Sequence, residues 1–183
     1  MDALMPALVA VAATEIGGRV QKGVRVFSEK GGMGGVFAAL ALSSIVYYTV
    51  AVIAGTTIGH TMNANAKLLF MAMALAFAGV PMVISFKAKF PEKGGFAGSF
   101  PYFVSNQFAD ASAFILLAIT VRTDTPFPAF VGGLFGIMIV AALPLVFGRN
   151  WPNDVALTGI RRIIGLILVL LSALMALRAL KLI

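Results

Sequence analysis

The chain has 183 residues, 60% of them apolar and 11% charged, with a mean hydropathy of +0.99. Soluble domains carry about 25% charged residues, so these figures exclude a water-soluble framework. The excess of 14 Lys and Arg over 7 Asp and Glu sits in short gaps between apolar runs. That is how a membrane protein records its orientation, and it excludes nucleic acid as a partner.

Taken in chain order, six apolar segments are predicted, each near the ~20 residues that cross ~30 Å of hydrocarbon. They are Ala3–Gly23, Met33–Ile58, Ala66–Phe86, Phe96–Val121, Phe127–Phe147 and Thr158–Leu180. The gaps between them, Lys22–Gly32, Gly59–Asn65, Lys87–Gly95, Arg122–Pro126 and Gly148–Leu157, are too short for a soluble domain. The first basic residue, Arg19, follows the first apolar run. A cleaved signal peptide would carry its basic residues before that run, so the first segment is expected to be a retained helix. There is no cysteine, hence no disulfide framework and no thiolate metal site.

Orientation follows from the basic residues. Arg19, Lys22, Arg25, Lys30, Lys87, Lys89, Lys93, Arg149, Arg161 and Arg162 fall in the first, third and fifth loops, against Lys67, Arg122, Arg178 and Lys181 on the other side. The positive-inside rule then places both termini on the non-cytoplasmic side, as in a multi-pass protein of a bacterial inner membrane.

Two polar inserts interrupt the apolar pattern. Thr14-Glu15-Ile16-Gly17-Gly18-Arg19-Val20-Gln21 lies behind the first apolar run, and Ser105-Asn106-Gln107-Phe108-Ala109-Asp110-Ala111-Ser112 lies in the fourth. A shift of 92 residues aligns Glu15–Val20 with Gln107–Ser112. Each half of the chain, 1–92 and 93–183, then reads as three helices with its polar insert in the first. Three is odd, so two copies in series point in opposite directions across the membrane. The expected fold is therefore an all-α integral membrane protein of six transmembrane helices as two inverted three-helix repeats, with the inserts facing each other near mid-membrane.

An ionisable side chain at that depth costs about 2.5–3.5 kcal/mol on insertion scales and marks a functional site by default. On a continuous helix Glu15 shares a face with Gly18 and Arg19, and Gln107 with Asp110 and Ala111. Glu15 and Asp110, helped by oxygens of Gln107, Ser112, Asn106 or Gln21, form an all-oxygen set suited to hard divalent cations. Gly17 and Gly18 allow close backbone approach or local unwinding. A cation and protons would compete for the same carboxylates, as an antiporter requires. The plainer alternatives are a Glu15–Arg19 ion pair that only fixes packing, an Asp110 satisfied by Ser112 or Asn106, and an Arg19 that snorkels to the interface. His60 reads as a solvated loop residue. Tyr47, Tyr48, Tyr102 and Trp151 read as packing or interfacial aromatics. Ser and His are not paired at a useful spacing, so no enzyme is expected.

In these inserts the chain resembles the Gdt-type calcium/manganese–proton exchangers, the family of the Golgi manganese transporter. Its signature, Glu-x-Gly-Asp-Lys/Arg-Thr/Ser, occurs once in the first helix of each three-helix repeat. The first copy here is Glu15-Ile16-Gly17-Gly18-Arg19-Val20, followed by Gln21 as in many family members, and the second is Gln107-Phe108-Ala109-Asp110-Ala111-Ser112. The run Gly159-Ile160-Arg161-Arg162-Ile163-Ile164-Gly165 is similar to the start of the family's last helix. The copies depart from the signature at Gly18, Val20, Gln107, Ala109 and Ala111. Four carboxylates become two, the basic positions reduce to Arg19, and the formal charge of the site falls from −2 to −1.

The resemblance implies a secondary transporter exchanging Mn²⁺ or Ca²⁺, as transported substrate rather than cofactor, for protons. Glu15 and Asp110 would be ligands and proton carriers, Gln107 and Ser112 neutral ligands, and Arg19 a tuning charge. Partners would be the lipid bilayer, the divalent cation and protons, with a homodimer or pairing with an intact family member also open. Two other readings stay open: a family-derived subunit that no longer transports, and a carrier of a monovalent or small organic cation.

Overall fold

The computed structural model describes residues 3–84, 90–107, 110–148, 151–152 and 154–182. Among them are eight helices and no strand: α1 (Leu4–Glu15), α2 (Arg19–Gly31), α3 (Met33–Thr61), α4 (Ala64–Val83), α5 (Gly95–Gln107), α6 (Ala111–Thr120), α7 (Pro126–Phe147) and α8 (Asp154–Ala179). Lys87, Lys89 and Arg149 of the orientation count, with Phe108 and Ala109 of the second insert, lie outside the described residues.

Four of these helices, α3, α4, α7 and α8, are long and apolar enough to cross a bilayer. They match four of the expected segments. The chain is an all-helical, multi-pass membrane protein, and its outward surface agrees: Val46, Val50, Ile53, Phe77, Phe135, Leu166, Leu170 and Leu174 are all exposed. Such a band suits lipid tails rather than water.

The two segments that carry polar inserts differ from continuous helices. Ala3–Gly23 does not form one span. α1 stops at Glu15 after 12 residues, about 18 Å at 1.5 Å per residue. The chain turns at Ile16 (ψ 124°) and at Gly17, whose φ is +67°. A side chain strains such a backbone. At Gly17 its Cβ would also stand 2.8 Å from the Leu157 carbonyl oxygen of α8.

The stretch expected as the Lys22–Gly32 loop is instead helix α2. Val20, Val24 and Phe27 recur at helical spacing and are buried, while Arg25, Glu29 and Lys30 are exposed. The segment Phe96–Val121 is likewise divided into α5 and α6, bent by 54°.

Close backbone approach holds the bundle together. α1 lies along α7, where Gly132 and Gly136 face the Leu4 and Leu8 carbonyls. α4 lies along α8, where a Cβ on Gly79 would stand 2.8 Å from the Gly165 carbonyl and Ser172 donates to the Ala72 carbonyl at 2.7 Å. Small residues at such crossings serve helices that gain little hydrophobic free energy from leaving lipid. The halves of the broken units pack crosswise, α1 against α6 and α2 against α5.

Gly132→Val tests this packing, because its Cβ would collide with the Leu4 carbonyl oxygen. A loss of about 1–3 kcal/mol is expected from overpacking, read as a lower melting temperature in detergent. An unchanged melting temperature would mean that α1 does not lie against α7 at this point.

Candidate functional site

Both helix breaks fall at the inserts, and the structure brings their acids together. Glu15 is the last residue of α1 and Asp110 the residue that precedes α6; both are buried. The Glu15 carboxyl lies beside Asp110 and the Ser112 hydroxyl and within electrostatic range of Arg161. Tyr48 of α3 lies beside Ser112 and near both acids. Gln107, at the end of α5, donates from Nε2 to the Ser44 hydroxyl at 3.0 Å, one turn before Tyr48 on α3.

The hydrogen-bond accounts of these groups are incomplete. Asp110 Oδ1 accepts from the Ala111 backbone N–H at 2.8 Å and so caps α6. Asp110 Oδ2, both Glu15 oxygens, the Gln107 carbonyl oxygen and the Tyr48 hydroxyl have no hydrogen-bond partner. Each buried acceptor left this way costs about 1–3 kcal/mol. Four of these five atoms are acceptors only, so what completes them is a donor, a proton or a cation. Among the described residues no three His, Cys, Asp or Glu side chains come together. The site is thus two carboxylates completed by neutral oxygens.

The nearest guanidinium belongs to Arg161, not to Arg19 as the sequence reading had it. Because α1 ends at Glu15, Arg19 is not on a shared helical face with it. Arg19 opens α2, donates to the Asn106 carbonyl oxygen at 3.5 Å and acts on Asp110 over a longer range. Arg161, counted above as a loop residue, lies inside α8 with its side chain 15% exposed. Its Nη1 donates to the Thr14 carbonyl at 3.1 Å and its Nη2 stands 3.8 Å from Asp110 Oδ1. The Thr14 carbonyl is among those left free where α1 ends.

Gly18 makes room for this arrangement. A Cβ there would stand 2.7 Å from Arg161 Nη1 and 3.2 Å from Glu15 Oε2. The two groups therefore lie within roughly 6 Å of each other, inside the range of strong charge interaction.

Of the other expected ligands, Ser112 is at the site, whereas Gln21 and Asn106 are engaged elsewhere. Gln21 spans the first break: its Oε1 accepts from the Gly17 N–H at 2.9 Å and its Nε2 donates to the Val140 carbonyl of α7 at 2.9 Å. Asn106 donates to the Tyr102 carbonyl of its own helix at 2.9 Å. Tyr48, read from sequence as a packing aromatic, is a site residue by position.

Two signals in the sequence pointed to the missed groups. Leu157, Arg161, Gly165, Leu168 and Ser172 recur at intervals of four, four, three and four, which sets Arg161 on the inward face of α8 and Arg162 outside it. Ser44 and Tyr48 are likewise four apart in an otherwise apolar helix.

Comparison with protein-family models, with curated proteins and with solved structures finds no match.

Gln21→Leu tests whether that residue is a strut rather than a ligand. It leaves the Gly17 N–H and the Val140 carbonyl unpartnered, which is expected to lower stability by about 1–3 kcal/mol for each group left buried. Thermal unfolding in detergent measures this, and a change below about 0.5 kcal/mol would return Gln21 to the list of ligands.

Proposed function

We propose that the protein is a secondary transporter that exchanges a divalent cation, Mn²⁺ or Ca²⁺, for protons at the Glu15–Asp110 pair. The observation that carries this reading is the group of buried acceptor oxygens without donors, gathered where two broken helices meet. A carboxylate must be deprotonated to hold a metal, so cation entry releases protons at the same atoms. Tyr48, Ser112 and Gln107 would supply the neutral oxygens. Broken helices whose ends face a buried polar site are the recurring device of secondary carriers.

The six-crossing, inverted-repeat architecture belongs to the same proposal. The order of short helix, break, second helix and two long helices occurs twice along the chain. The crosswise contacts of α1 with α6 and α2 with α5 support a two-fold relation between the halves. On this reading α1 and α2 together make the first crossing and α5 and α6 the fourth. The orientation read from the basic residues, with both termini on the non-cytoplasmic side of a bacterial inner membrane, and the resemblance to the Gdt-type exchangers belong to it as well.

One observation favours a second reading. The Arg161–Asp110 contact puts a protein cation against one of the two acids, as expected of a family-derived subunit that no longer transports, or of a carrier for a singly charged ion.

Proteoliposomes containing a pH-sensitive dye distinguish these readings. An inward Mn²⁺ or Ca²⁺ gradient is expected to drive proton efflux in the wild type. Glu15→Gln and Asp110→Asn should each reduce it at least tenfold. Wild-type flux in both variants would remove the acids from the mechanism, and absence of flux in the wild type with any divalent ion would favour the non-transporting subunit.

A further inference from the structure

We propose that the Arg161 guanidinium is a resident cation of the acid pair, leaving Asp110 when a divalent substrate enters and returning when it departs. This rests on the cation-site reading and adds to it what decides the accepted charge.

Several features of the contact suit a displaceable group rather than a fixed one. Arg161 reaches the pair from α8, whose principal contact is α4 and which touches α1 only lightly. Its hold on Asp110 is a single 3.8 Å approach, not the parallel two-bond fork that makes Arg–carboxylate pairs strong. The bond from Nη1 goes to a helix-end carbonyl, which water can replace. The side chain is not fully enclosed, at 15% exposure, and its long flexible stem allows the head group to move.

Charge makes the exchange necessary. The groups facing the acids are Arg161 from α8 at contact, Arg19 from α2 at longer range, and the neutral Tyr48 and Ser112. With both guanidiniums counted, the two carboxylates carry no net negative charge for a divalent ion. Like charges repel strongly where water is scarce. A divalent ion and the Arg161 guanidinium, itself within roughly 6 Å of Glu15, are then alternatives for the same place. Gly18 is the matching device on the other side: any Cβ would stand in the space that Nη1 occupies.

Two measurements on the full chain in detergent test this. In the first, Mn²⁺ binding is followed by the electron paramagnetic resonance of the free ion. Arg161→Gln and Arg161→Met are expected to bind Mn²⁺ at least tenfold more tightly than the wild type. Arg161→Lys, which keeps the charge, should stay within threefold, and Glu15→Gln should abolish binding in every background.

The second needs no substitution at Arg161. Phenylglyoxal modification, mapped by mass spectrometry on the wild type, should accelerate at Arg161 at least threefold on adding Mn²⁺, with Arg162 unchanged. This decides the matter alone if the neutral variants do not fold. Wild-type affinity in the neutral variants, or an Arg161 modification rate indifferent to Mn²⁺, would overturn the exchange and leave the site standing so long as Glu15→Gln still abolishes binding. Mn²⁺ binding in no variant, or binding indifferent to Glu15→Gln, would overturn both.

Discussion

Two carboxylates buried side by side in a bundle of apolar helices form the constraint on which the rest of this structure depends. A continuous helix would leave them no backbone groups to draw on, because its N–H and C=O groups are consumed by one another. Each acid stands instead at a helix end. Asp110 draws on the first free N–H of α6, and Glu15 closes α1, whose last carbonyls then receive Arg161 and the Gly18 N–H. A helix terminus brings partial charge and unpaired backbone groups into an interior that has few other polar atoms.

Ending α1 in the interior carries its own cost, and the surroundings of the turn at Ile16–Gly18 show how it is met. Gln21 satisfies the Gly17 N–H and ties the turn to α7. Gly17 accepts a left-handed backbone while the Leu157 carbonyl passes close by, and Gly18 leaves room for the guanidinium. On α7, Gly132 and Gly136 let the short α1 lie near enough for its buried face, Ala7 and Val11, to be fully enclosed. The glycines therefore serve two ends: some permit a turn, and others permit the contact that keeps the turn from unwinding further.

Much of this was legible from the residues, and the failures share a cause. Helices α3, α4, α7 and α8 are visible as apolar runs of sufficient length, and the inserts mark themselves by carrying Glu15 and Asp110 into such runs. What hydropathy cannot convey is direction. Ile16-Gly17-Gly18 has a composition that many intact membrane helices tolerate, and only the positive φ of Gly17 makes it a turn. Once the turn is made, Arg19 leaves the helical face of Glu15. Arg161 and Arg162 both read as loop charges in the orientation count. The two differ by one residue and about 100° of rotation on a helix, enough to put one on the acids and the other outside. α2 reads as a loop because it is polar on average, although Val20, Val24 and Phe27 carry the helical period.

The two acids are not equivalent, and the difference bears on how a site of this kind works. Asp110 stands at the N-terminal end of α6, where backbone N–H groups point at it, and Arg161 and Arg19 add positive charge from outside. Glu15 stands at the carbonyl end of α1, with neither oxygen hydrogen bonded and the field of the helix end against it. Asp110 thus has a backbone donor and a guanidinium beside it, whereas no hydrogen bond reaches the Glu15 oxygens. On the reading proposed above, Glu15 is the acid that most lacks a positive partner, and Asp110 is the one that exchanges Arg161 for the substrate. A site built from two equivalent carboxylates would lack that asymmetry, and the offset of the acids, first in one insert and fourth in the other, is what creates it.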